Sequence, residues 1–189
     1  QYRVAETQKY AHATYFFNSQ IEAPLPGEEM KMIESPKCTS YAEKPEMSAH
    51  AVTDDLIAAI ASEKYDLIVS NFANCDLVGH SGSLEASIKA VETIDECLGK
   101  IVPIGIAHDY SVFITGDHGN VEYMIYDDGT PCPSHTQNPV PLFVCRPNTR
   151  KPVTLKAGEL ADIAPTILAE MGIEIPKEMT GENLLLKLQ

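Results

Sequence analysis

The chain has 189 residues, of which 44% are hydrophobic and 22% are charged, and this composition predicts one folded domain or most of one. Its net charge of −13 argues against nucleic acid or anionic membrane surfaces as partners. No apolar run is long enough to cross a membrane. The five cysteines lack C-x-x-C spacing, which is typical of reduced thiols in a cytoplasmic protein.

The first quarter of the chain is predicted to hold an aromatic strand and a long loop. Residues 12–18, HATYFFN, are rich in aromatic and β-branched residues, a pattern that favours a strand. Residues 19–46 carry four prolines among polar residues and predict a loop, with a short strand near Lys31–Ile33. Because the chain starts without methionine or a signal-peptide pattern, we expect a piece of a longer protein.

The remainder of the chain is predicted to alternate between helices and short apolar strands. The predicted helices are 48–64, 83–102 and 159–172, and the predicted strands are 65–72, 110–117 and 140–146. The second helix has an apolar stripe made of Leu84, Ile88, Val91, Ile94 and Leu98. A turn-rich loop is predicted over 126–139. This alternation predicts an α/β fold with a mostly parallel sheet, whose strands 65–72 and 110–117 are buried on both faces.

Polar residues that commonly bind metal ions follow two of these strands. Asp76 and His80 come after the strand 65–72, and Asp117 and His118 come after the strand 110–117. His135 lies in the loop before the last strand. Ligands of parallel α/β sheets bind at the carboxyl ends of the strands, so we expect these side chains to meet there. Carboxylate with imidazole suits Mn²⁺ or Zn²⁺ better than Mg²⁺.

Each of these features also has a simpler explanation. The spacing of Asp76 and His80 is common in helices without a metal, and an Asp-His pair after a strand can cap a turn. A histidine in a proline-rich loop, such as His135, is usually at the surface. The combination of five such residues after strands favours the metal site. The other histidines show no comparable pairing: we expect His50 and His108 to be solvated and His12 to be structural.

Six segments together resemble the cofactor-independent phosphoglycerate mutases of the alkaline phosphatase superfamily. These segments are ETQKYAHATYFFN, SPKCTSYAEKPEMSAHAVTDDLI, YDLIVSNFANCDLVGHSG, AVETIDECLGKIV, FITGDHGNVEYM and SHTQNPVPLFV. The resemblance extends from Tyr2 to the C-terminal TGENLL. It implies a three-layer α/β/α phosphatase-like domain with a mostly parallel central sheet, incomplete at its N-terminal side. Residues 1–189 would be its C-terminal part, without the inserted phosphotransferase domain and the N-terminal segment.

The resemblance also implies an activity and a role for each candidate residue. Enzymes of this family interconvert 3-phosphoglycerate and 2-phosphoglycerate in glycolysis through a phosphoserine, with two Mn²⁺ ions; Co²⁺ or Zn²⁺ are alternatives. By motif, Asp76, His80 and His135 would bind one ion, and Asp117 with His118 the other. Lys9 would lie beside the nucleophile and the phosphate; without the resemblance, Lys9 would be interpreted as a solvated lysine.

Several expectations follow from what the resemblance places outside these residues. In the family, the nucleophilic serine and one aspartate ligand lie in segments that would precede Gln1. The isolated chain is therefore expected to lack mutase activity and to bind manganese weakly. The complete protein is expected to be monomeric and cytoplasmic, and to act on a small-molecule phosphoglycerate.

Two other functions remain open at this point. One is a different enzyme of the same superfamily, such as a phosphopentomutase or a phosphatase, and the other is a protein that binds metal without catalysis.

Two local departures from the family pattern also stand out. FFNSQIE replaces the usual glycine pair, and PCPSHT replaces a Thr-Ala before His135, which can alter how that histidine approaches the metal.

Overall fold

A buried strand at the start of the chain forms the centre of the fold in the computed structural model, which describes residues 1–187. The strands are β1 Tyr2–Glu6, β2 Glu29–Ile33, β3 Ile68–Asn71, β4 Val112–Thr115, β5 Leu142–Cys145, β6 Val153–Leu155 and β7 Leu185–Lys187. β1 pairs in parallel with β2 on one side and with β3 on the other. The predicted α/β class with a parallel sheet is confirmed.

Five α-helices connect these strands or follow them in the described part of the chain. They are α1 Thr7–Ala13, α2 Ala49–Ala61, α3 Asn74–Gly79, α4 Leu84–Ala107 and α5 Ile163–Glu170. The side chain of Ser83 accepts a hydrogen bond from the backbone of Ala86 and caps α4. Within residues 1–187, none of the helices combines the length and the apolar composition that a bilayer span needs.

The main apolar core lies between β1 and the helices α2 and α4. Val4 of β1 is fully buried, and it packs in one cluster with Val52 and Leu56 of α2 and with Ile101 of α4. A second cluster joins α3 to the start of α4 and includes Val78. The second cluster supports α3, the helix that follows the carboxyl end of β3.

The later strands form two separate antiparallel pairs. β4 pairs with β5, and β6 pairs with β7. A charged contact connects the residue after β5 to α5, because Arg146 donates through Nε and Nη2 to the two carboxylate oxygens of Glu170, both at 2.8 Å. Ser111 donates to the same carboxylate at 2.6 Å. Side-chain hydrogen bonds therefore hold α5 in place.

The predicted strand over residues 12–18 is wrong, since these residues lie in the end of α1 and in the turns that follow it. Thr14 donates its hydroxyl to the Tyr10 carbonyl at 2.7 Å, which continues the helical direction. Phe16 and Phe17 are more than half exposed, and the guanidinium of Arg3 lies 4.1 Å from the Phe17 ring centre. The aromatic run therefore packs on the outside of a turn and adds no strand to the sheet.

Three of the five residues in the predicted apolar stripe of α4 are exposed, and the other two, Ile94 and Leu98, are half-buried. Leu84, Ile88 and Val91 are 45%, 52% and 45% exposed, while Ala90 and Cys97 on another face are completely buried. The buried face carries small side chains, which let α4 approach α2 and α3 closely. β3 and β4 were predicted to be buried on both faces. Their residues are instead half-buried, and Thr115 is exposed.

Candidate metal centre

The candidate residues gather beyond the carboxyl ends of the parallel strands. Lys9 lies in α1, which directly follows β1, and Asp76 lies in α3, which begins three residues after β3. His118 and His135 come from the loops between β4 and β5. This is where a parallel sheet is expected to bind its ligands.

Three side chains bring ligand atoms together at this position. The Oδ1 atom of Asp76 lies 2.8 Å from Nε2 of His135 and 3.1 Å from Nε2 of His80. The two imidazole nitrogens are 3.0 Å apart. Ligands at about 2.0–2.1 Å from a tetrahedral ion are separated from one another by about 3.3 Å, so these spacings are close to those of a coordination shell. The carboxylate and imidazole donors fit a divalent transition metal.

Backbone carbonyls orient the imidazoles for this role. The Nδ1 atom of His80 is 2.6 Å from the carbonyl oxygen of Pro133, so Nδ1–H donates there and the Nε2 lone pair points to the trio. Nδ1 of His118 is 3.2 Å from the Gly119 carbonyl. A second contact that fixes the tautomer is the usual arrangement for histidines that bind metal.

The carboxylate of Asp76 is charged and held by a buried lysine. The Nζ atom of Lys9 lies 2.7 Å from Oδ2 of Asp76, and Lys9 is only 5% exposed. Burial by itself raises the pKa of Asp76, but hydrogen bonds from Lys9 and His135 outweigh it and lower the pKa to about 2. A deprotonated carboxylate is the form that binds metal. The interpretation of Lys9 as a solvated lysine is wrong.

The second predicted pair is more open than the trio. The Nε2 atom of His118 lies 3.5 Å from Oδ1 of Asp117 and 3.7 Å from Oδ1 of Asp76. The His118 ring also stacks on His135, with ring centres 3.7 Å apart. The Asp117 side chain is 57% exposed. The structure therefore brings His118 to the trio and leaves Asp117 at the rim, where it faces solvent.

The remaining histidines lie outside this cluster. The ring of His12 is 5.5 Å from that of Phe16, and His50 Nδ1 is 3.8 Å from the sulfur of Cys97. His108 is not simply solvated as predicted, because its Nδ1 lies 2.9 Å from a carboxylate oxygen of Glu63. That partner is 45 positions away in the chain, so no local sequence pattern indicates the pair.

Two further polar residues support the site and were not predicted from the sequence. Asn120 is 4% exposed and donates to Asp76, and Glu122 accepts from the backbone of Asn120 at 2.6 Å. Glu122 also accepts from Asn138 at 3.0 Å and from the hydroxyl of Thr136, the residue after His135. Burial raises the pKa of Glu122, but these hydrogen bonds leave it lowered overall. The only signal was their position, two and four residues after His118.

An open cavity of about 270 Å³ lies on the outer side of His135. Tyr123, Tyr126 and Thr136 are among the residues that line it. The cavity leaves His135 accessible from solvent.

Comparison with known proteins gives consistent matches over most of the chain. Residues 1–175 match the family model described as the Metalloenzyme superfamily. The 2,3-bisphosphoglycerate-independent phosphoglycerate mutase of Clostridium acetobutylicum is 56% identical over 185 residues, which are 97% of this chain and 36% of the relative. The enzyme of the same name from Acetivibrio thermocellus is 52% identical over 188 residues, covering 99% of this chain and 36% of the relative.

A solved structure agrees with these relatives. Leishmania mexicana phosphoglycerate mutase, determined at low cobalt concentration, superposes with a TM-score of 0.91 at 31% identity. The match covers 99% of this chain and 37% of the Leishmania chain. The chain thus spans a little more than a third of the length of the relatives that it matches.

Proposed function

The chain belongs to the metalloenzyme superfamily, and from that membership we propose that it carries the metal centre of a cofactor-independent phosphoglycerate mutase. The fold is alkaline-phosphatase-like, as the sequence predicts. The observation that carries the proposal is the trio of Asp76, His80 and His135, with ligand atoms within 3.1 Å of one another. Relatives of 50% identity or more that share the name phosphoglycerate mutase support the choice of substrate.

We propose that the trio binds one Mn²⁺ ion and that Asp117 and His118 contribute to a second, with Co²⁺ or Zn²⁺ as alternatives. The donor set supports this, since neutral imidazole and carboxylate both suit these ions. When bound, the ions would supply positive charge that favours a serine alkoxide and neutralises the phosphoryl group during transfer. Local positive charge is required here because the chain has a net charge of −13.

Lys9 is proposed to hold the transferring phosphoryl group. Its ammonium has three N–H donors, of which the contact with Asp76 Oδ2 uses one. Burial holds the Lys9 side chain in one position, so its two remaining donors can contact a phosphoryl group without further loss of side-chain entropy. Lys9 thus links the metal ligand Asp76 to the site of phosphoryl transfer, and the two charges stay balanced before substrate binds.

For the complete protein, we propose that residues 1–189 form the C-terminal part of the phosphatase-like domain. The nucleophilic serine would then come from another segment, so we expect the isolated 189-residue chain to bind metal but to show no mutase turnover. Metal binding can therefore be tested in the isolated chain, and catalysis in a complete protein.

The test is a chimera in which this chain replaces the matching 185 residues of the C. acetobutylicum relative. We expect the chimera to interconvert 3-phosphoglycerate and 2-phosphoglycerate with Mn²⁺, and to act poorly on a phosphopentose. His80→Ala should abolish turnover, whereas the matched His50→Ala should not. A chimera that folds but prefers the phosphopentose would overturn the substrate, and unchanged turnover in His80→Ala would overturn the metal centre.

A further inference from the structure

We propose that Asn120 is a positioning residue that orients the Asp76 carboxylate for metal binding, with Glu122 and Gly79 holding Asn120 in place. The inference rests on the metal centre proposed above and adds the residues that fix its central ligand. The side-chain amide of Asn120 contacts Asp76, so Asn120 would act on a bound metal ion only through that carboxylate.

Asp76 is held from two sides. Lys9 contacts Oδ2 at 2.7 Å, while the side-chain amide of Asn120 donates to Oδ1 at 3.3 Å and to the Asp76 backbone carbonyl at 3.3 Å. Oδ1 is also the oxygen shared by His80 and His135. A donor on each oxygen prevents rotation of the carboxylate, so a free direction of Oδ1 stays pointed between the two imidazoles.

The amide of Asn120 is held in this orientation at an energetic cost. Its Oδ1 atom is buried and has no hydrogen-bond partner among the residues that the structure describes. The opposite orientation would place this oxygen against the Asp76 carboxylate, which is repulsive. Leaving a buried acceptor unpaired is unfavourable, so its occurrence here indicates that donation to Asp76 is the stronger requirement.

Gly79 and Glu122 determine where Asn120 can lie. A methyl group added at Gly79 would overlap Asn120 Oδ1, so only glycine leaves room for the amide at the end of α3. Glu122 accepts from the backbone N–H of Asn120 at 2.6 Å. Because Glu122 also accepts from Thr136, the loop that carries Asn120 is tied to the residue that follows His135.

The first test is a double-mutant cycle on the full chain, with Mn²⁺ affinity measured by calorimetry. We expect Asn120→Ala to weaken binding about tenfold or more, as loss of an outer partner of a metal ligand typically does. Gly79→Ala should weaken binding similarly in the wild-type background, although alanine is normally favoured over glycine in a helix. In the Asn120→Ala background, Gly79→Ala should have little further effect, because the clashing amide is absent.

Controls separate this inference from the proposed function. Asn148→Ala makes the same change on an exposed turn and should leave affinity within twofold of wild type. Asp76→Asn should abolish binding. If Asp76→Asn abolishes binding while Asn120→Ala stays within twofold, only the positioning role fails. If Asp76→Asn binds like wild type, the proposed metal centre fails.

A measurement without metal keeps the inference testable if the isolated chain binds manganese too weakly to titrate. The ¹⁵N imidazole resonances of His80 and His135 report their contacts with Asp76, and those of His50 serve as an internal reference. Asn120→Ala should shift or broaden the first two and leave His50 unchanged, with the melting temperature close to wild type. Unchanged His80 and His135 resonances would overturn the positioning role.

Discussion

The first 107 residues and the residues from 112 onward are stabilised in different ways. The sheet region, residues 2–107, surrounds β1 with apolar side chains, and both hydrophobic clusters found in the described chain take their buried members from residues 2–101. The C-terminal region, residues 112–187, consists of two antiparallel strand pairs and α5. There, Glu170 binds Arg146, and Asp162 accepts from two backbone amides. The apolar clusters thus stabilise the sheet region, whereas the C-terminal region relies more on charged hydrogen bonds.

The candidate metal centre lies between these two regions and takes ligands from both. Asp76 and His80 belong to the sheet region, and His118 and His135 belong to the C-terminal region. The contacts of Asp76 with His118 and with His135 are therefore also contacts between the regions. A bound cation would join an apolar core to a part of the chain that has little core of its own.

The largest expected effect is in the C-terminal region. Arg146→Ala leaves the Glu170 carboxylate, whose side chain is 8% exposed, without its main partner. Because a buried charge that loses its partner costs several kcal/mol, we expect the free energy of unfolding to fall by about 3 kcal/mol. Urea denaturation measures the change. Hydrogen exchange should show faster opening of α5 than of β1.

The control for that variant is an ion pair in solvent. Lys89→Ala removes a contact with Glu92 in which both side chains are more than 60% exposed, and it should cost less than about 0.5 kcal/mol.

Acid provides a second check. Burial raises the pKa of Glu170, but Arg146 and Ser111 lower it overall, so its contribution is present above about pH 4.3 and lost as pH falls through the folded pKa. Arg146→Ala should reduce this acid sensitivity. Equal acid sensitivity in the wild type and in Arg146→Ala would mean that the contact with Arg146 does not lower the pKa of Glu170.

Metal binding should diminish the difference between the regions. At a free Mn²⁺ concentration of 100 times the dissociation constant, linkage predicts about 2.7 kcal/mol of added stability. Limited proteolysis should show protection of the loop 117–138, since His118 and His135 would then be tied to α3. Asp76→Asn with the same Mn²⁺ is the control and should gain no protection. Protection that is equal in both proteins would show that the ion binds elsewhere.

A matched pair of valines tests the burial of the sheet region. Val4 is completely buried in β1, and Val91 is 45% exposed on α4. Val4→Ala should destabilise the protein by about 2 kcal/mol, from lost apolar burial and the cavity that remains, whereas Val91→Ala should cost less than about 0.5 kcal/mol. Denaturant midpoints measure both. Equal costs would mean that the exposed face of α4 is packed against something in solution.

The contrast between the buried Val4 and the exposed Val91 also shows what the sequence could and could not predict. Apolar periodicity correctly predicted α2 and α4, and short apolar runs correctly predicted β3 and β4, because neighbouring residues carry both signals. It did not identify which face of α4 is buried, since that depends on the elements packed against it. Ala86 and Ala90 lie on the buried face, while Leu84 and Ile88 lie on the exposed one.

β1 was not predicted because two of its five residues are charged. Arg3 and Glu6 are of types that usually lie at the surface, yet both are buried. Arg3 pairs with the carboxylate of Glu28, and Glu6 accepts from the hydroxyl of Ser35 at 2.8 Å. Those partners are 25 and 29 positions away, so no local pattern indicates them.

The candidate metal ligands were easier to predict than the residues around them. Asp76, His80, Asp117 and His118 follow strands and belong to types that bind metal, so their position in the chain and their chemistry indicate the same role. Asparagine has many roles, and the function of Asn120 depends on Gly79 and Asp76, which are 41 and 44 positions away. Their proximity is a property of the fold and not of any local segment.

The smallest expected effect tests strain in the sheet region, at the turn that replaces a predicted strand. Ser19 and Gln20 have φ of 52° and 68°, a left-handed conformation that costs residues with a Cβ about 1 kcal/mol or more. Glycine relieves this strain but makes the unfolded chain more flexible, so Ser19→Gly and Gln20→Gly should each stabilise by about 0.5 kcal/mol. Gln137→Gly, at a residue whose φ is not positive, should destabilise by a similar amount.

Because the turn connects α1 to β2, the gain in stability from Ser19→Gly and Gln20→Gly should appear in hydrogen exchange of β1 and β2 and not in that of α5. A loss of stability in both turn variants would mean that side-chain contacts of Ser19 and Gln20 outweigh the backbone strain.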